Sequence, residues 1–83
     1  MQADELARLL RQRPFLPLRV HLVDGTVLDI RAPRQAIVGC TWLDIGIPDP
    51  RLPEGIYDHI RTIPLTAVTK VVQDTAAAPS NAS

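Results

Sequence analysis

The sequence predicts a mainly β domain with one N-terminal helix, its strands forming a small bent antiparallel barrel. Three observations carry this. A helical spacing of apolar residues is confined to residues 3–12. Beyond it apolar residues recur at every second position, and Asp24-Gly25 interrupts them where a hairpin would turn. Prolines and glycines then cut the rest of the chain into extended segments too short for helices.

Ala3, Leu6, Ala7 and Leu10 stand at i, i+3, i+4 and i+7, with Leu9 beside them, which gives residues 3–12 one apolar face. Asp4 and Glu5 fall at the positive end of the helix dipole, and Arg11 and Arg13 near its negative end. Pro14 stops the helix. So short a helix is unstable alone in water and must dock its leucines. Phe15, the only phenylalanine, is expected to plug the helix onto the sheet.

Residues 18–30 fix a register. A two-residue loop at Asp24-Gly25 would set Val20 against Asp29 and mix core with solvent on one face. A three-residue loop, Val23-Asp24-Gly25 with Gly25 left-handed in a G1 bulge, sets Leu18 against Ile30, Val20 against Leu28 and Leu22 against Thr26. Arg19 then meets Asp29 on the other face. A slip of one residue would reverse every side chain, so the second register is favoured, with positive φ at Gly25.

Ala32-Pro33 is expected to bend the chain, Ala36-Ile37-Val38 to extend again, and Gly39-Cys40-Thr41 to turn. Trp42–Ile47 is a strand with Leu43, Ile45 and Ile47 inward, leaving Trp42 on an outer face that needs cover. Residues 48–55, with three prolines, form a loop. A strand over residues 56–63 has Ile60 and Ile63 out of phase, which a bulge near Arg61-Thr62 would reconcile. Pro64 begins a helical turn, Val68–Gln73 is the last strand, and residues 74–83 are expected to be disordered. Residues 1–73 make one domain.

Of 83 residues, nine are basic and nine acidic, so no overall field draws the chain to nucleic acid or an anionic membrane. Residues 1–34 hold six arginines against four acids, which allows a local basic patch on the helix. No apolar run approaches the roughly 18 residues of a membrane span. Asp4 and Glu5 stand where a signal peptide is basic. The sequence therefore predicts no export and no anchor, and a cytoplasmic location. Cys40, the only cysteine, allows neither an intrachain disulfide nor a Cys-based zinc site.

Catalytic patterns are missing from the sequence. It has no Gly-rich phosphate loop and no serine at a strand–turn–helix elbow. His21 and His59 lack a second ligand at short spacing; a shared site would need Asp58 or Asp29 beside both. Asp44, Asp49, Glu54 and Asp58 surround the proline-rich loop and read as its solvated rim. The expectation is a protein that is not an enzyme, with no cofactor and no metal.

His21-Leu22-Val23-Asp24-Gly25-Thr26-Val27-Leu28 resembles the first hairpin of the Sm-like (Hfq-like) family, and Ala67-Val68-Thr69-Lys70-Val71-Val72 is similar to that family's closing strand. The resemblance covers residues 4–73 and implies a small barrel of Sm-like or SH3-like kind, with ring assembly and RNA binding as the family's properties. Where Hfq-like proteins carry a Tyr-Lys-His triplet, Pro64, Leu65 and Thr66 stand here. The opening Arg13-Pro14-Phe15-Leu16-Pro17-Leu18, followed by a His-Leu-x-Asp-Gly hairpin, also resembles a group of short bacterial proteins without assigned activity.

The function expected is self-association or protein binding, through edge strands with Trp42, Tyr57, Val68 and Val71. RNA binding through Arg8 and Arg11 is the alternative. The partners expected are a second copy, another protein or RNA, and no membrane.

Overall fold

The computed structural model describes residues 1–75. It is mainly β, with one helix and two three-stranded antiparallel sheets. Helix α1 spans Ala3–Arg11. Strands β1 (Leu18–Leu22), β2 (Val27–Ile30) and β6 (Val68–Gln73) form the first sheet, in the order β2-β1-β6. Strands β3 (Ala36–Val38), β4 (Trp42–Ile47) and β5 (His59–Pro64) form the second, in the order β3-β4-β5. Among the described residues no strand ladder joins the two sheets, so they do not form a closed barrel.

One core lies between the sheets. Leu18, Val20 and Ile30 come from the first, Leu43, Ile45 and Ile63 from the second, and Leu6 from the helix. The helix packs over β3. Leu6 is wholly buried, so it seats the helix, while Phe15 is only half-buried beside the core. A leucine at the middle of the apolar face reaches deeper than an aromatic on the proline-stiffened link.

The first hairpin has the expected register, Leu18 to Ile30, Arg19 to Asp29 and Val20 to Leu28. The Leu22 N–H donates to the Thr26 carbonyl (2.9 Å), and Gly25 has φ +90°. The left-handed conformation is open to glycine at no steric cost. Arg19 Nε lies 3.7 Å from Asp29 Oδ1. Asp24 Oδ1 accepts the Thr26 N–H (2.9 Å) and closes the turn from the side-chain side.

Between the sheets the chain does more than bend. Pro33–Gln35 is a 3₁₀ turn, and it places Gln35 in the interior, 7% exposed. The Arg31 N–H donates to Gln35 Oε1 (2.8 Å), and Gln35 Nε2 donates to the carbonyls of Asp29 and Gly46 (both 2.9 Å). One side chain thus ties the end of the first sheet to β4 of the second.

Several boundaries differ from the expectation. Strand β5 begins at His59 and pairs with β4 without a shift, from Ile47–His59 to Trp42–Pro64. No bulge reconciles Ile60 with Ile63, because Ile60 faces solvent and only Ile63 is buried. The bulge lies in β6 instead: His21 pairs with Lys70 but Leu22 with Val68, leaving Thr69 over. The Thr69 hydroxyl donates to the His21 carbonyl (3.0 Å). Pro64 closes β5, and the 3₁₀ turn after it is Leu65–Ala67. At the C-terminal end, the Asp74 N–H donates to the Pro17 carbonyl (2.8 Å), so Asp74 is held rather than disordered. The rest of the expected tail, residues 76–83, lies outside the described residues.

The turn carries a pH signature. The backbone N–H of Thr26, then its hydroxyl, hold the Asp24 carboxyl below its ordinary value of 3.8, and the Arg61 guanidinium acts in the same direction. A depressed folded-state pKa contributes stability that is complete above the unfolded value and is lost as pH falls through the folded one. Urea denaturation of Asp24→Asn should show a deficit against the parent at neutral pH. That deficit should shrink once pH falls below about 3.8.

Candidate protein-binding surface

The second sheet presents one face to solvent, and the pleat decides what stands on it. Leu43 and Ile45 point into the core, so Trp42, Asp44 and Gly46 point out. Cross-strand pairing adds Ile37, opposite Asp44, from β3. From β5 it adds Ile60, opposite Gly46, and Thr62, opposite Asp44. Ile37 and Ile60 are 61% and 64% exposed. Isolated apolar residues at a surface are ordinary, whereas these flank one strand from either side, on the same face of the sheet.

Two glycines seat the aromatic residues of this face. A Cβ at Gly39 would stand 2.1 Å from Trp42 Cε2, so the indole lies flat on the glycine. A Cβ at Gly46 would stand 2.7 Å from Tyr57 Cγ, so the phenol ring covers the strand there. Trp42 remains 38% exposed and Tyr57 is half-buried. The cover that Trp42 was expected to need comes from its own hairpin. Glycine followed at i+3 by tryptophan across a two-residue turn was the sequence signal for it. The Gly46–Tyr57 contact spans a loop and leaves no comparable local pattern.

Asp44 sits at the centre of the face. It accepts the Thr62 hydroxyl at Oδ1 and meets no cation among the described residues. The other carboxylates near the loop are engaged separately. Asp49 is held by Arg51, whose Nη2 lies 2.7 Å from Oδ2; that contact lowers the Asp49 pKa, aided by the Arg51 backbone N–H, and raises that of Arg51. Glu54 lies 3.7 Å from Arg34, and Asp58 Oδ2 2.7 Å from His59 Nδ1. A cleft of about 380 Å³ opens between this loop and the 3₁₀ turn, with Arg31, Arg34 and Tyr57 in its wall.

Not all of the expected interface residues reach the surface. Val68 is 6% exposed and belongs to the core, and Val71 packs half-buried against it. The Thr69 bulge turns Val68 inward and leaves Val72 as the exposed valine of β6. Leu65, which stands where Hfq-like proteins carry the Tyr-Lys-His triplet, is also buried. Arg8 and Arg11 are exposed in the second half of α1 and form no ion pair among the described residues. His21 and His59 lie in different sheets, and no group of three metal-ligating side chains occurs among the described residues. Cys40 is exposed in the β3–β4 turn. No helix among the described residues is long and apolar enough to cross a membrane.

No protein-family model, curated protein or solved structure matches this chain.

The glycine seats can be tested separately. Gly46→Ala should destabilise the fold by about 1–3 kcal/mol in urea denaturation, because Tyr57 must leave a half-buried position. Gly39→Ala should shift the emission of Trp42, the only tryptophan, to longer wavelength as the indole swings into water.

Proposed function

We propose that the chain is a non-enzymatic cytoplasmic domain of the small-barrel, Sm-like or SH3-like kind that works by self-association through its strand edges. The observation that supports this reading is the asymmetry of the four edges. Strands β2 and β3 are short, four and three residues, and α1 packs over β3. Strands β5 and β6 have six residues each and, among the described residues, pair on one side only. An unpaired edge offers a row of N–H and C=O groups to another strand.

β5 of one copy and β6 of the next are different surfaces, so their pairing is head-to-tail. Such contacts close into rings when the rotation permits. A domain of this size buries only roughly 60% of its unfolded surface, which favours adding buried area by association. RNA binding is the second reading, and the exposed Arg8 and Arg11, one turn apart on α1 and in no ion pair among the described residues, favour it.

Size-exclusion chromatography with light scattering, recorded at 260 and 280 nm, tests both. A defined oligomer is expected, and Val72→Lys, which adds a charge beside the β6 edge, should reduce its mass. A monomer at high micromolar concentration would refute self-association. Retained nucleic acid that disappears in an Arg8→Ala, Arg11→Ala variant would transfer the function to RNA binding.

A further inference from the structure

The outer face of the second sheet combines four features. Trp42 and Tyr57 lie against Gly39 and Gly46, which makes the surface broad and low. Ile37 and Ile60 stand exposed on the flanking strands. Asp44 lies between them, its carboxylate bonded to the Thr62 hydroxyl and in no ion pair among the described residues. A shallow concavity of about 80 Å³ connects Ile37, Asp44, Tyr57 and Ile60; Arg34 also lines it, but its guanidinium is paired with Glu54 (3.7 Å), so the aliphatic groups and the Asp44 carboxylate share one depression.

We propose that this face docks a segment of another protein that carries aliphatic side chains on either side of a single lysine or arginine, the cation meeting Asp44. Charge complementarity selects this occupant. A wholly apolar partner would cover the Asp44 carboxylate without compensation, and burying a charge unpaired is costly. A second copy laid face to face would bring two Asp44 carboxylates together, which opposes like charges at the centre of the contact. A basic residue among aliphatic ones satisfies both the carboxylate and the surface around it. The spacing follows from the strand: Trp42 and Gly46, four residues apart on β4, are separated by about 13 Å. Asp44 is midway, so an extended segment running along β4 would place its cation two residues from each flanking aliphatic.

This docking is independent of edge pairing, because it uses the sheet's face and not its rim. Its test is selection of a random peptide library displayed on phage against the intact chain. Synthetic forms of the selected peptides are then titrated while Trp42 fluorescence is followed. The expected consensus has one lysine or arginine between aliphatic residues, and binding changes the Trp42 emission. Asp44→Asn should weaken binding by about tenfold through loss of a charge-assisted contact. Ile60→Ser should also weaken it; Ile60 is exposed, so that variant leaves the core intact. Arg8→Ala, on the helix, should leave it unchanged. Failure to enrich any such consensus would overturn the proposal. So would binding that is indifferent to both Asp44→Asn and Ile60→Ser, or a Trp42 emission that already shifts with protein concentration alone, which would mean a second copy covers the face.

Discussion

Among the described residues the two sheets share a core but no ladder, and the side chain of Gln35 forms a polar link between them. Strand β3 starts at Ala36, opposite Ile45. Extending that register one step would set residue 35 against Gly46, and there the Gln35 side chain takes over from the backbone, donating to the Gly46 carbonyl (2.9 Å). The same amide accepts from the Arg31 N–H and donates to the Asp29 carbonyl at the far end of β2. All three contacts are made by a residue that is almost wholly enclosed, where an orphaned polar group costs roughly 1–3 kcal/mol. Pro33 makes this geometry available: it stands first in the 3₁₀ turn that delivers Gln35 inward.

From that link the surface features follow. The carbonyl of Gly46 is held by Gln35, while its Cα carries the Tyr57 ring. The residue of β4 that Gln35 holds is therefore also the floor of the exposed face. Trp42 sits at the other end of the same strand, and Asp44 lies between them. The rigidity of β4, paired on both sides, fixes their relative positions. The unpaired edges, β5 and β6, are joined by the short Leu65–Ala67 turn. The Val23 N–H donates to the Ala67 carbonyl (2.9 Å), which pins that turn to the first hairpin.

The first hairpin was fully legible in the sequence because the two candidate registers differ in every side chain, and only one segregates Leu18, Val20 and Ile30 from Arg19 and Asp29. The helix was legible from its spacing. Strand β5 was not, because period-two reasoning counts an isoleucine as core, and Ile60 is on the outside. The last strand misled for a related reason. Three valines in Val68–Gln73 cannot be assigned to faces until the unpaired Thr69 is known, and that depends on pairing with β1. Val68 was consequently expected at an interface and lies in the core. Gln35 gave no signal, since a glutamine beside prolines reads as loop. Trp42 and Tyr57 were singled out as surface aromatics. Their glycine seats were not: the spacing of Gly39 and Trp42 across the turn was the only local signal, and the Gly46–Tyr57 seat depends on a loop contact rather than on spacing along the chain.

Hydrogen exchange at the backbone amide of Arg31 tests the central link most directly. Arg31 lies outside any strand and its side chain is exposed, so its N–H depends on Gln35 Oε1 for protection. If the Gln35 side chain fastens the sheets together, this amide exchanges as slowly as the core amides of β1 and β4 and becomes fast in Gln35→Ala. Exchange in the parent protein at the rate of an open loop would contradict the link, and with it the placement of Gly46, Tyr57 and the face they support.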